Sequence, residues 1–173
     1  MSGEMTLPFP SPSTPASGRA EVFLGYLEYF RETLLSKVFA LSDNELLRSR
    51  LPSGWTPLEL LKHLRYVELR WIEWGFEGSK IDEPWADWRE DRWYVEPDET
   101  CDTLTASLRA QGRHTASVIA SNDLETVGVP GPRWGGSAPA TLERVLFHLV
   151  QEYARHLGHL DIVAELAGGP VGE

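Results

Sequence analysis

The stretch HLVQEYARHLGHLDI, residues 148–162, decides how this chain is read. Its apolar side chains, Leu149, Tyr153, Leu157 and Leu160, with Leu146 just ahead, recur at three- and four-residue steps and share one side of a helical wheel. His148, Glu152, His156 and His159 lie beside them within about 80° of one another, with Arg155 on the same face. The segment therefore predicts an amphipathic helix that carries a carboxylate and an imidazole one turn apart. The solvated face of an amphipathic helix accounts for any one of these polar residues taken singly. Jointly they are harder to explain that way, because solvated faces use Lys, Glu and Gln, whereas three of the five histidines in the chain lie here.

Working outward, similar stripes recur upstream. Phe23, Leu27, Phe30, Leu34 and Val38 predict a helix from about Arg19 to Ala40, and Ser42 with Glu45 marks a short helix within 41–47. Thr56, Pro57 and Glu59 supply a cap hydroxyl, a first-turn proline and a capping-box carboxylate for a second long helix, Pro57 to about Phe76. Its stripe is Leu60, Leu64, Val67 and Trp71, and His63 falls close to it, where an unpartnered imidazole is costly. A third helix is expected over Asp98 to Ala120, and the fourth runs from about Thr141 to Ala167, stopping at Gly168 and Gly169. Residues 77–97 form a long crossover holding Trp85, Trp88 and Trp93, and 124–139 reads as a Gly- and Pro-rich loop. With no strand pattern, the expected class is all-α, a four-helix bundle with a long connection between helices 2 and 3.

Bulk properties narrow the function. At 173 residues the chain fits one domain, 19–173, after a proline- and serine-rich arm, 1–18, expected to be extended or disordered. A net charge of −10 disfavours nucleic acid and anionic membranes, so the expected partners are small molecules or another protein. No apolar run approaches the roughly 18 residues of a membrane span and no secretory leader is visible, so the expected location is cytoplasmic. The single Cys101 excludes an internal disulfide and a thiolate-only metal site.

His63, Glu152 and His156 form the candidate metal set. Two imidazoles and a carboxylate suit Zn²⁺ best, with Ni²⁺, Fe²⁺ and Mn²⁺ compatible, and three protein ligands leave positions open, as a catalytic site requires. There is no HExxH motif, since Leu149 follows His148, and the di-iron Glu-x-x-His pattern fails because position 155 is Arg. The loop PGPRWGGSAP lacks a phosphate-cradling form. His148 and His159 are candidates to orient the ligands, His148 is an alternative ligand one turn from Glu152, and His148, His159 and Arg155 are near enough to be candidate general bases. Trp85, Trp88, Trp93 and Trp134 are candidates for an apolar wall over the metal end, or equally for a cover on the bundle end or a dimer seam.

The elements SGWTPLELLKHL (Ser53–Leu64), VELRWIEWGF (Val67–Phe76) and EYARHLGHLDI (Glu152–Ile162) resemble the DinB/YfiT-like superfamily, and within it the mini-circle protein subgroup, from Arg19 to Ala167. The resemblance implies a four-helix bundle whose metal is held by one residue of helix 2 and two of the last helix, falling on His63, Glu152 and His156. Many relatives have His where this chain has Glu152, and that difference is similar to the metal-binding domain of mycothiol-dependent maleylpyruvate isomerases. Isomerase activity is not expected to carry over, because no second domain follows residue 173. What the resemblance implies is a metal-dependent transferase in which a low-molecular-weight thiol such as mycothiol, or else water, is activated to attack a small electrophile. Homodimers are expected on the same ground. The competing reading is a non-catalytic, dimeric metal- or small-ligand-binding protein.

Overall fold

A computed structural model describes residues 7–169; the parts of the predicted arm and domain at 1–6 and 170–173 lie outside the described residues. The molecule is mostly helical, as expected. Helix α1 spans Arg19–Phe39, α2 Asp43–Leu46, α3 Pro57–Leu69, α4 Cys101–Ser121 and α5 Leu142–Leu166. Helix α1 packs chiefly on α5 and α4, and α3 on α4 and α5. Leu27, Leu34, Leu60, Leu64, Leu108, Leu146, Leu149 and Leu160 form the centre of one apolar core and are fully buried. Among the described residues no helix is long and apolar enough to cross a membrane.

Local chemistry sets the ends. At α3 the Thr56 hydroxyl accepts the Glu59 amide at 3.2 Å while the Glu59 carboxylate accepts the Thr56 amide at 2.8 Å. Helix α5 closes in a Schellman arrangement: Gly168, at φ 76°, donates to Glu165, and Gly169 donates to the Ala164 carbonyl at 2.8 Å. Helix α4 begins three residues later than its apolar pattern predicts, because Thr100 and Thr103 cap each other there.

Two features depart from expectation. Helix α3 runs on as a π-helical turn over Arg70–Phe76, closed by the Glu77 amide on the Ile72 carbonyl at 2.9 Å. The crossover also contains a small antiparallel hairpin, β1 (Trp88–Arg89) and β2 (Arg92–Trp93), where no strand was expected. Its two-residue turn puts Glu90 at φ 52° and Asp91 at φ 59°, the left-handed pair such turns demand. Of the arm, residues 7–18 contain no helix until the last turn into α1, and the Phe9 ring meets Tyr29 edge-on at 5.3 Å.

Candidate metal centre

Helices α3 and α5 bring His63, Glu152 and His156 together so that one donor atom from each lies within 4.8 Å of the others. Both oxygens of Glu152 are engaged on its own helix, one turn away in each direction: Oε1 is 3.2 Å from Nε2 of His148 and Oε2 is 3.2 Å from Nε2 of His156. The His156 hydrogen bond, chiefly, holds the Glu152 carboxyl below its ordinary range despite partial burial. If Nε2 of His156 donates to Glu152, its Nδ1 is left a bare acceptor, buried without any partner.

His63 is fixed by a residue from the crossover. Its Nδ1 lies 2.9 Å from Oδ2 of Asp87, a carboxylate that is itself almost wholly buried. Asp87 in turn receives two hydrogen bonds from the guanidinium of Arg70, at the start of the π-helical turn. Burial pushes the Asp87 carboxyl up, but the bonds from His63 and Arg70 outweigh it and the net shift is downward. For His63 burial wins over Asp87, so the imidazole pKa is lowered and the ring is neutral near pH 7. With Nδ1–H committed to Asp87, Nε2 is the nitrogen left to ligate. That is the carboxylate–histidine arrangement that orients metal ligands and raises their basicity.

The donors open into a cavity of about 540 Å³, a size that suits a small-molecule ligand. Trp93 forms one wall, stacked on His63 with ring centroids 4.3 Å apart, and Trp55 tilts against Trp93 at 5.9 Å. Arg155 and His159 line the mouth together with Ser53 and Leu51. His148 does not line this cavity; its ring lies 4.6 Å from Trp71, on the other side of Glu152, and burial lowers its pKa.

The tryptophans divide differently from the pattern expected of them. Trp93 reaches the site, whereas Trp85, Trp88 and Trp134 do not line the cavity. Trp85 is held under the Arg70 guanidinium at 4.3 Å. Trp88 is half exposed on β1. The Trp134 indole donates to the carbonyls of Gly75 and Val129, pinning the loop before α5 to the π-helical turn. Asp87, Arg70 and Trp55 are the participants that residue patterns did not expose. Asp87 is one of many acids in an aperiodic crossover, and the only available signal was the need of a ligating histidine for a carboxylate partner.

Helical architecture and a His/Glu/His cluster at the junction of α3 and α5 fit the DinB/YfiT-like superfamily, and a family match carries the assignment. Within it, the family model for mycothiol-S-transferase matches residues 22–169, and the chain belongs to that family. No match was found among proteins of curated function.

Proposed function

We propose that this protein is a divalent-metal-dependent transferase that activates mycothiol, or a similar low-molecular-weight thiol, for attack on a small electrophile. The observation that carries the reading is the convergence of His63, Glu152 and His156 within 4.8 Å, with His63 held in the ligating tautomer by Asp87. Family membership supports the thiol. The donor set fits a metal on three counts: two imidazole nitrogens and one carboxylate, a buried unpartnered nitrogen on His156, and a cavity that leaves coordination positions open. Zinc is the ion these donors suit best.

A bound divalent ion supplies a Lewis acid that lowers the pKa of a thiol or water at the open position. The chain's own residues do the rest. Asp87 and Arg70 hold the His63 ring, and His148 holds the Glu152 carboxylate from its far side. Trp93 and Trp55 keep water off one flank of the reacting groups. His159, the one cavity imidazole outside the ligand set, receives the thiol proton. Arg155 offers N–H donors and no acceptor atom, so its part is to bind rather than to take a proton. The same reading takes the four long helices as a DinB/YfiT-type four-helix bundle of the mini-circle protein subgroup, a single domain from residue 19 onward that works as a homodimer.

Elemental analysis of protein purified without a histidine tag, followed by steady-state turnover of thiols with model electrophiles, tests this. One metal per chain, with turnover lost on chelation and in His63→Ala, is the expected result. Tight metal without turnover by any thiol would replace the transferase with a metal- or ligand-binding protein.

A further inference from the structure

Most arginines of this acidic protein are paired with a carboxylate or stacked on an aromatic ring, as Arg19, Arg31, Arg70 and Arg133 illustrate. Arg155 has no such partner among the described residues, and it is the arginine that lines the cavity of the candidate metal centre. The one carboxylate in that lining is Glu152, already held by His148 and His156. Trp55, Trp93 and Ser53 line the same cavity. An unpaired guanidinium, two indoles and a serine around about 540 Å³ match a planar apolar body with an anionic end.

We propose that Arg155 is the anion anchor of this site, and that the electrophile taken by the protein is a carboxylate-bearing, flat or aromatic molecule. Its meaning as a substrate subsite rests on the transferase reading above. A fork of N–H donors binds a carboxylate bidentately and selects its orientation as well as its charge. Anchored at residue 155 on α5, one position before the His156 ligand, the carboxylate end faces the rim and the electrophilic carbon faces the donors. For a benzylic chloride the step is a displacement: the thiol gives its proton to His159, the C–S bond forms, the C–Cl bond breaks, and chloride leaves with the electron pair.

The test titrates the metal-loaded protein with benzoate and with neutral benzamide, reading tryptophan fluorescence, for wild type, Arg155→Gln, Arg155→Lys and Arg144→Gln. Arg144 lies exposed on α5 outside the cavity, so its loss imposes the same charge change elsewhere. Benzoate should bind wild type at least tenfold tighter than benzamide, lose at least tenfold in Arg155→Gln, recover in part in Arg155→Lys, and change less than twofold in Arg144→Gln. The proposal is overturned by no benzoate binding to wild type, by undiminished binding to Arg155→Gln, which would leave the anion to the metal alone, or by equal weakening in Arg144→Gln. With 4-(chloromethyl)benzoate and its methyl ester as paired electrophiles, Arg155→Gln should raise KM at least tenfold more for the acid than for the ester, and an equal rise for both would count against the anchor. An absence of turnover with either electrophile counts against the transferase reading, while the benzoate titration still decides the subsite.

Discussion

Two carboxylates on the facing helices α3 and α5 have been treated in opposite ways. Glu68 is completely buried and fully satisfied: Arg31 donates to both its oxygens, Thr115 donates at 2.7 Å, and the Tyr153 hydroxyl donates at 2.5 Å. Helix α4 comes close enough to seal this cluster because residue 112 is glycine; a Cβ there would sit 2.9 Å from Nε of Arg31. Glu152, the neighbour of Tyr153 in sequence, is partly exposed, shares its oxygens between two imidazoles, and borders a cavity and an orphaned nitrogen. Glu68 lies five positions after His63, and Tyr153 one position after Glu152. Each helix thus contributes to both clusters. The closed one ties α3 to α5 across the core, and the open one leaves its donors lining a cavity.

Breaking the closed cluster should produce the largest effect. Removing one partner of a buried, hydrogen-bonded ion pair leaves an uncompensated charge and costs about 3–5 kcal/mol. Glu68→Ala should therefore lower the urea unfolding free energy by about that amount, leaving the Arg31 guanidinium stranded. Glu152→Ala, which removes a half-exposed carboxylate, should leave the unfolding of the metal-free protein nearly unchanged. Equal losses in the two variants would abolish the distinction between a sealing cluster and a binding cluster.

Occupying the open cluster should matter next. A ligand present at 100 times its dissociation constant stabilises the folded state by about 2.7 kcal/mol. Zinc added to the chelated protein should thus raise its melting temperature, and the increment should vanish in His63→Ala and Glu152→Ala but persist in Arg144→Gln. The crossover enters at a smaller scale. Asp87→Asn keeps the shape but weakens the acceptor for His63, and the loss of such a carboxylate partner lowers metal affinity about 10–100-fold. Competition with a fluorescent zinc chelator would register it, and unchanged affinity would remove Asp87 from the centre.

The clustering of His63, Glu152 and His156 was legible in the sequence because helical spacing is informative there. Glu152 and His156 are one turn apart, and His63 sits near the apolar stripe of a helix whose capping box announces its start. The ending of α5 was equally legible from Gly168 and Gly169. What escaped has physical reasons. The hairpin turn uses Glu90 and Asp91 in left-handed conformations that sequence rules reserve for Gly and Asn, so no turn signal appears. Arg31 and Glu68 hide in helices read by their apolar stripes, since pairing across the core leaves no periodic trace. The tryptophans were visible as a cluster, but only cross-chain partners such as Arg70 under Trp85 decide which ring reaches the cavity.

Acid should separate the two clusters by the smallest, but cleanest, margin. Burial lowers the His63 pKa below its ordinary 6.5, and Asp87 offsets this only in part. Because the folded value is the lower one, the unfolded chain takes up the proton first as the pH drops. The stability that neutral His63 contributes is therefore complete above about pH 6.5 and is lost as the pH falls toward and through the depressed folded value. His148 is shifted the same way. Glu152 and Asp87 are both shifted downward from carboxylate values of 4.5 and 3.8, so they remain charged in folded and unfolded states alike above about pH 5.5. Between pH 7.5 and 5.5 the urea midpoint of metal-free protein should decline, and His63→Gln should flatten that decline. Arg31 has its pKa raised further above an already high ordinary value, largely by Glu68 in spite of burial, and contributes nothing in this window. An unchanged slope in His63→Gln would mean that the proton is taken up elsewhere, with His148, shifted the same way on the far side of Glu152, the next imidazole to replace.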